Sequence, residues 1–229
     1  VKNAIILCSG GLDSVTAAFY VYNSMKYRNI VLFFCNYNQR AYLGEKAAVK
    51  FFARLLNAKF VECDIRWLDS VSTSMINSDK TPSKISSLKN TKKESINWYV
   101  PCRNLVFLSN ALAYAEATYI KKKVRYDIIT GFKNDGSETF SDTTSEFTDS
   151  ISNISKSTTS VKSKVIAPLI KMDKEDIVAL GIKYRLPVEK TFSCYVGPKE
   201  HCGICLACRL RKEGFYWANI KDKTHYINN

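Results

Sequence analysis

"LCSGGLDSVTAAFYVY" (Leu7–Tyr22) decides the fold. The apolar run "NAIILCS" (Asn3–Ser9) leads into two adjacent glycines, then Asp13, Ser14 and a stretch with helical spacing, "SVTAAFYVYNSM". That order reads as a strand buried on both faces, a tight turn and a helix. Glycines keep side chains out of the turn, so backbone N–H groups can converge on one spot. The helix adds its positive N-terminal end, and an anion placed there meets amides and dipole together. Ser9 and Ser14 add hydroxyl donors. Asp13 would repel a phosphate unless a cation stood between them, which implies Mg²⁺. The turn is neither a Walker loop, since no Gly-Lys-Ser/Thr follows, nor the GxGxxG dinucleotide turn.

Outward from that unit, β-type and helical runs alternate. "IVLFFCN" (Ile30–Asn36), "KFVECDI" (Lys59–Ile65), "YDIITG" (Tyr126–Gly131) and "KVIAPL" (Lys164–Leu169) read as strands. "YLGEKAAVKFFARLLNA" (Tyr42–Ala58) reads as a helix with Leu43, Ala47, Phe51 and Leu55 along its apolar face. "RNLVFLSNALAYAEATYI" (Arg103–Ile120) is a long, mostly apolar helix, and "DKEDIVALGIKYRL" follows Asp173 as N-cap. The alternation predicts an α/β fold, a doubly wound parallel sheet covered on both sides. Ligands of such sheets bind beyond the carboxyl ends of the strands. Cys8–Ser14, Asn36–Arg40 and Gly131–Asp135 should therefore surround one crevice. Two segments rich in Ser, Thr and Lys, Asp69–Asn97 and Ser141–Lys164, read as surface loops or as mobile lids.

The chain has 229 residues, 46% of them hydrophobic, enough for a sizeable core. Its longest apolar runs are far short of the ~20 residues that span a bilayer. No stretch has the layout of a signal peptide, so the expected location is the cytoplasm. The net charge of +13 invites a nucleic-acid partner, but the lysines are spread widely and many fall in the Ser/Lys-rich segments, so direct nucleic-acid binding is not expected.

Of eight cysteines, Cys8, Cys35, Cys63 and Cys102 are scattered in or beside apolar stretches, where a free thiol behaves as a small hydrophobe. Cys194, Cys202, Cys205 and Cys208 are spaced C-x7-C-x2-C-x2-C. Two-residue gaps turn neighbouring sulfurs toward one ion. Four thiolates satisfy Zn²⁺ and leave no open position, so the site would be structural. An iron–sulfur cluster is the rival occupant. His201 beside a ligand reads as surface or outer sphere, and His225 is assigned nothing.

"SGGLDS" resembles the pyrophosphate loop (PP-loop) of ATP pyrophosphatases, which split ATP into AMP and pyrophosphate. With "NYNQR" (Asn36–Arg40), "WYVPCRNLVFLSNALAYAE" (Trp98–Glu116) and "SCYVG…CGICLACRLRKEGF", nearly the whole chain resembles the 7-cyano-7-deazaguanine synthases of queuosine and archaeosine biosynthesis. The resemblance implies a carbon–nitrogen ligase. ATP adenylates 7-carboxy-7-deazaguanine, ammonia yields the amide, and a second activation removes water to give the nitrile. Ammonia would arrive free or from a partner glutaminase, and a homodimer is the default assembly. Carried onto this sequence, ATP would be held by Ser9, Gly10, Gly11, Asp13 and Ser14, with Leu7, Cys8, Leu12 and Val15 flanking. Asp13, Arg40 and Arg103 would be catalytic. Gln39, Arg40, Arg103, Asn104, Lys133 and Asp135 would bind substrate. Residues 1–190 would form the PP-loop domain and 191–229 a zinc-binding segment packed on it.

The chain departs from the family pattern in places. Asn36 and Asn38 stand for an acid and a glycine, and Cys102 for a glycine. Lys133, Gly136 and Thr144 stand for Asn, Asp and Arg. Lys does not form the bidentate fork of Arg, so the loop after the fourth strand leaves the acceptor open to another deazapurine or amine acceptor. A PP-loop tRNA thiolase and a non-catalytic zinc-bearing nucleic-acid regulator are the competing readings.

Overall fold

The computed structural model describes residues 1–77, 95–133 and 140–228. Five parallel strands form one sheet in the order β3-β2-β1-β4-β5. They are β1 (Lys2–Leu7), β2 (Tyr27–Asn36), β3 (Lys59–Asp64), β4 (Asp127–Ile129) and β5 (Val165–Ile166). The longer helices are α1 (Leu12–Asn23), α2 (Tyr42–Leu55), α3 (Arg103–Lys122), α4 (Ser145–Thr158), α5 (Lys174–Lys183) and α6 (Leu206–Trp217). The chain leaves β1 in one direction toward β3 and returns on the other side of β1 to β4. The strand order thus reverses between β1 and β4, and a crevice opens there at their carboxyl ends.

Alternation along the strands builds two cores. Ile5, Val31, Phe33 and Ile128 face α3 and α4, while Ala4, Ile6, Leu32, Phe34 and Ile129 face α1, α2 and α5. Both faces of the sheet are covered, as its near-continuous apolar strands require. Asp173 caps α5 in a capping box with Asp176.

Two elements differ from the sequence reading. The face of α2 is rotated. Leu43, Phe51 and Leu55 are exposed, Ala47 is also exposed, and Gly44, Ala48, Val49 and Phe52 are buried. The close approach is the reason: a Cβ on Gly10 would lie 2.8 Å from the Ala48 Cβ, so only small residues let α2 reach the turn after β1. Second, Ser141–Lys164 is largely helix α4, not a loop. Thr144 accepts from the Phe147 N–H at 3.1 Å and caps it. Mid-helix hydroxyls bond back to the preceding turn, as Ser150 to Glu146 O and Thr158 to Ile154 O do. Ile151 is buried against the sheet, and the Val165 N–H of edge strand β5 donates to Ser152 Oγ at 2.9 Å, which covers that edge. Of Asp69–Asn97, residues 78–94 lie outside the described residues. Its near end is tied to the loop after β2, where Arg40 N–H donates to Ile76 O and Asn77 Nδ2 to Tyr37 O.

Candidate active site and metal cluster

Gly10 takes φ +77°, a conformation open to glycine, and its carbonyl accepts the Phe192 N–H at 2.7 Å. Gly11 caps α1 with extended backbone, so the first amides of α1 face the crevice. On the far wall, Gly131 follows β4. A Cβ there would stand 2.7 Å from Ser14 Cα, and glycine is what lets the two loops meet. Asp13 is paired with Lys174, the first residue of α5, whose Nζ lies 2.7 Å from both carboxylate oxygens. Gly214 of α6 leaves room for the Lys174 stem, since a Cβ there would collide with its Cγ. Lys174 was not singled out in the sequence. Its signal was its place directly after the Asp173 cap.

Two cavities meet at this loop. One, of about 220 Å³, is lined by Leu7, Cys8, Ser9, Asp13 and Ser14, by Gln39, Arg103 and Asn104, and by the aromatics Phe33, Phe107, Phe132 and Tyr195. The other, of about 240 Å³, runs past Gly11, Leu12, Asp13, Lys133 and Lys174. Ser9, Asp13, Ser14, Glu45, Gly131, Phe132 and Tyr195 line both. Arg103 lies over the rings of Tyr37 (6.0 Å) and Phe107 (5.9 Å), and its Nε has no hydrogen-bond partner. Thr130 Oγ1, in the same wall, is also buried and unpartnered. Two buried donors without acceptors are costly unless a ligand supplies the acceptors.

Gln39 is committed inside the protein. Its Nε2 donates to Cys35 O (3.1 Å) and Glu45 Oε2 (2.8 Å), and its Oε1 accepts the Tyr37 N–H (3.0 Å). Burial pushes the Glu45 carboxyl up to about 7, against the Gln39 bond and the Arg103 charge. Burial likewise pushes the Cys8 thiol up to about 11, and the bond that Cys35 donates to Cys63, then burial, raise Cys35. The two cavity thiols are therefore neutral at physiological pH. Asn104 Nδ2 donates to Asp142 O at 3.3 Å.

Gly10, Val15 and Arg40 line neither cavity. Val15 is fully buried in the core under α1. Arg40 is not among the described residues lining either cavity; its backbone N–H is tied to Ile76 O at 2.9 Å. Asp135 lies outside the described residues, as does Gly136.

A family model described as "Queuosine biosynthesis protein QueC" matches residues 3–219. The chain belongs to the QueC family. It is 32% identical over 230 residues to the 7-cyano-7-deazaguanine synthase of Methanobrevibacter smithii, covering 98% of each chain. It is 35% identical over 228 residues to that of Methanosphaera stadtmanae, covering 97% of each. Among solved structures it resembles a 4-thiouridine synthetase in complex with RNA and bound ATP. The TM-score is 0.50 and the identity 16%, covering 94% of this chain and 53% of that one, a likeness of fold alone.

In this QueC chain the four C-terminal sulfurs converge. Cys194, Cys202, Cys205 and Cys208 are buried, with all four Sγ atoms within 4.8 Å of one another. The N–H groups of Val196, Gly197 and Cys202 donate to Cys194 Sγ at 3.1–3.4 Å, and that of Cys205 to Cys202 Sγ at 3.4 Å. Bonds from the other three sulfurs drive the Cys202 thiol far down and the Cys208 thiol far up, so the set cannot hold four negative charges without a cation. The donors fit a tetrahedral metal. His201 stays outside the set and is buried, not at the surface. Its Nε2 accepts the Ser193 N–H at 3.0 Å, and burial then the Arg211 charge push it down to about 4. Arg211, fully buried on α6, donates to Thr191, Ser193, Thr224 and Val188 O, and pairs with Asp222 at 3.4 Å.

Proposed function

We propose that the protein converts 7-carboxy-7-deazaguanine, ammonia and ATP into 7-cyano-7-deazaguanine, through an acyl adenylate and an amide. One observation carries the reading beyond the family match: Arg103, with its buried Nε lacking an acceptor, shares a cavity with the SGGLDS turn. A carboxylate is the anion that completes Arg103, and a nucleotide phosphate is the one that completes the turn. Bringing those anions together needs donors placed where charge develops. The amides after Gly10, the α1 N-terminus, Lys174 and Lys133 hold the departing pyrophosphate. Phe33, Phe107, Phe132 and Tyr195 offer flat apolar walls to purine-like rings. Asp13, paired through both oxygens with Lys174, would be the carboxylate that holds the magnesium accompanying ATP. Zinc on the four cysteines has no open position and supplies structure only.

The neutral thiols of Cys8 and Cys35 speak against sulfur transfer, which needs a thiolate at the adenylate. The decisive test incubates the protein with Mg-ATP, ammonium and 7-carboxy-7-deazaguanine. Pyrophosphate release that depends on the acid, then amide and nitrile masses in that order, is the expected result. Pyrophosphate without the acid, or no amide, overturns the proposal.

A further inference from the structure

Glu45 is the one acidic side chain among the buried residues of α2. It is 9% exposed and lies in the wall common to both cavities, among Ser9, Ser14 and Tyr195. Its Oε2 is fixed by Gln39, which is itself fixed by Cys35 O and the Tyr37 N–H, so the carboxyl group cannot swing away. No described residue bonds Oε1. A carboxylate beside the phosphate turn hinders nucleotide binding by charge. Structure gives no need for it either, since a glutamine would hold Gln39 as well. Its placement calls for a role in proton transfer.

We infer that Glu45 takes the proton from ammonium as it enters to attack the acyl adenylate. This rests on the function proposed above. Ammonia is almost wholly protonated at neutral pH, and the cation has no lone pair to offer. A buried carboxylate attracts ammonium out of water and then accepts one proton at Oε1. The freed lone pair forms the C–N bond at the acyl carbon. The C–O bond to AMP breaks, with its electron pair going to the phosphate oxygen, and the nitrogen's second proton leaves to solvent. The products are amide, AMP and two protons, one of them on Glu45. The groups facing Glu45 suit this exchange. Burial raises its carboxyl to about 7, and the Gln39 bond and the Arg103 charge hold it back. Cys8 and Tyr37, both pushed up by burial first, remain neutral beside it. A base near the working pH is the efficient one.

Glu45→Gln in the full chain separates this role from binding. It keeps the size of the side chain and an oxygen for Gln39. Acid-dependent pyrophosphate exchange should stay within a few-fold of the parent, while amide formation from ammonium falls ~10²-fold or more. Hydroxylamine, neutral at pH 7, needs no base. The variant should form the hydroxamate at the parent's rate, and its deficit with ammonium should shrink as pH rises. Equal rates with ammonium overturn the inference. Loss of exchange and hydroxamate together also overturns it, since Glu45 would then serve the nucleotide site or the fold. A parent that makes no pyrophosphate with the acid overturns the proposed function instead.

Discussion

Two departures from the family pattern become intelligible one residue at a time. Asn38 and Cys102, which stand where the resemblance implies glycine, both take positive φ, +60° and +53°. Asn tolerates that region through its short polar side chain, but Cys carries the full Cβ penalty. Cys102→Gly is therefore expected to raise stability by ~1 kcal/mol in urea unfolding, with turnover unchanged. Arg211 is the opposite case. Removing it orphans Thr191, Ser193, Asp222 and the Val188 carbonyl, so Arg211→Ala should cost ~3–5 kcal/mol in the same assay. Glu45 carries a pH signature. Its carboxyl sits at about 7 in the fold against an ordinary 4.5, so the folded state holds the extra proton between those values. Stability from this group falls as pH rises from 4.5 to 7 and is level above. Glu45→Gln should be more stable than the parent at pH 8 by up to ~3 kcal/mol, and the gap should close toward pH 4.5. His201 runs the other way, losing stability as pH falls from 6.5 toward 4, so only the difference between parent and variant isolates Glu45.

At the scale of elements, the sheet and its helices were legible because strand and helix periods differ and the strands are apolar throughout. The errors have physical causes. In α2 the large apolar residues Leu43, Phe51 and Leu55 outweighed Gly44 and Ala48 in the reading, while close packing on Gly10 selects the small ones. That same rotation hid Glu45, which stands on the truly buried row. In α4 the Ser/Thr content suggested loop, but hydroxyls bonded to their own helix lose that competition once Ile151 is buried. Lys174 and Asp13 are far apart in sequence, and no local pattern joins them. At the junction of β4 with α1, backbone meets backbone: a Cβ on Gly131 would stand 2.7 Å from Ser14 Cα. Gly131→Ala must push the start of α1 away from the strand, so kcat for pyrophosphate release should drop ~10²-fold, with a loss of ~1–3 kcal/mol in urea unfolding.

For the whole molecule, the sulfur cluster and the phosphate turn are one construction. Phe192 bonds Gly10, a Cβ on Gly44 would stand 2.5 Å from the Phe192 ring, and Tyr195 lines both cavities against Trp98. Chelation should therefore lower the melting temperature and abolish pyrophosphate release together, with zinc restoring both. A metal-free protein that keeps full turnover would sink the structural role. No described helix is long and apolar enough to cross a membrane. The Phe192–Gly10 bond also joins segments far apart in the chain. A chain folded from the turn through α5 still lacks the N–H that braces Gly10, so the turn reaches its working shape only once the segment around Phe192 has docked.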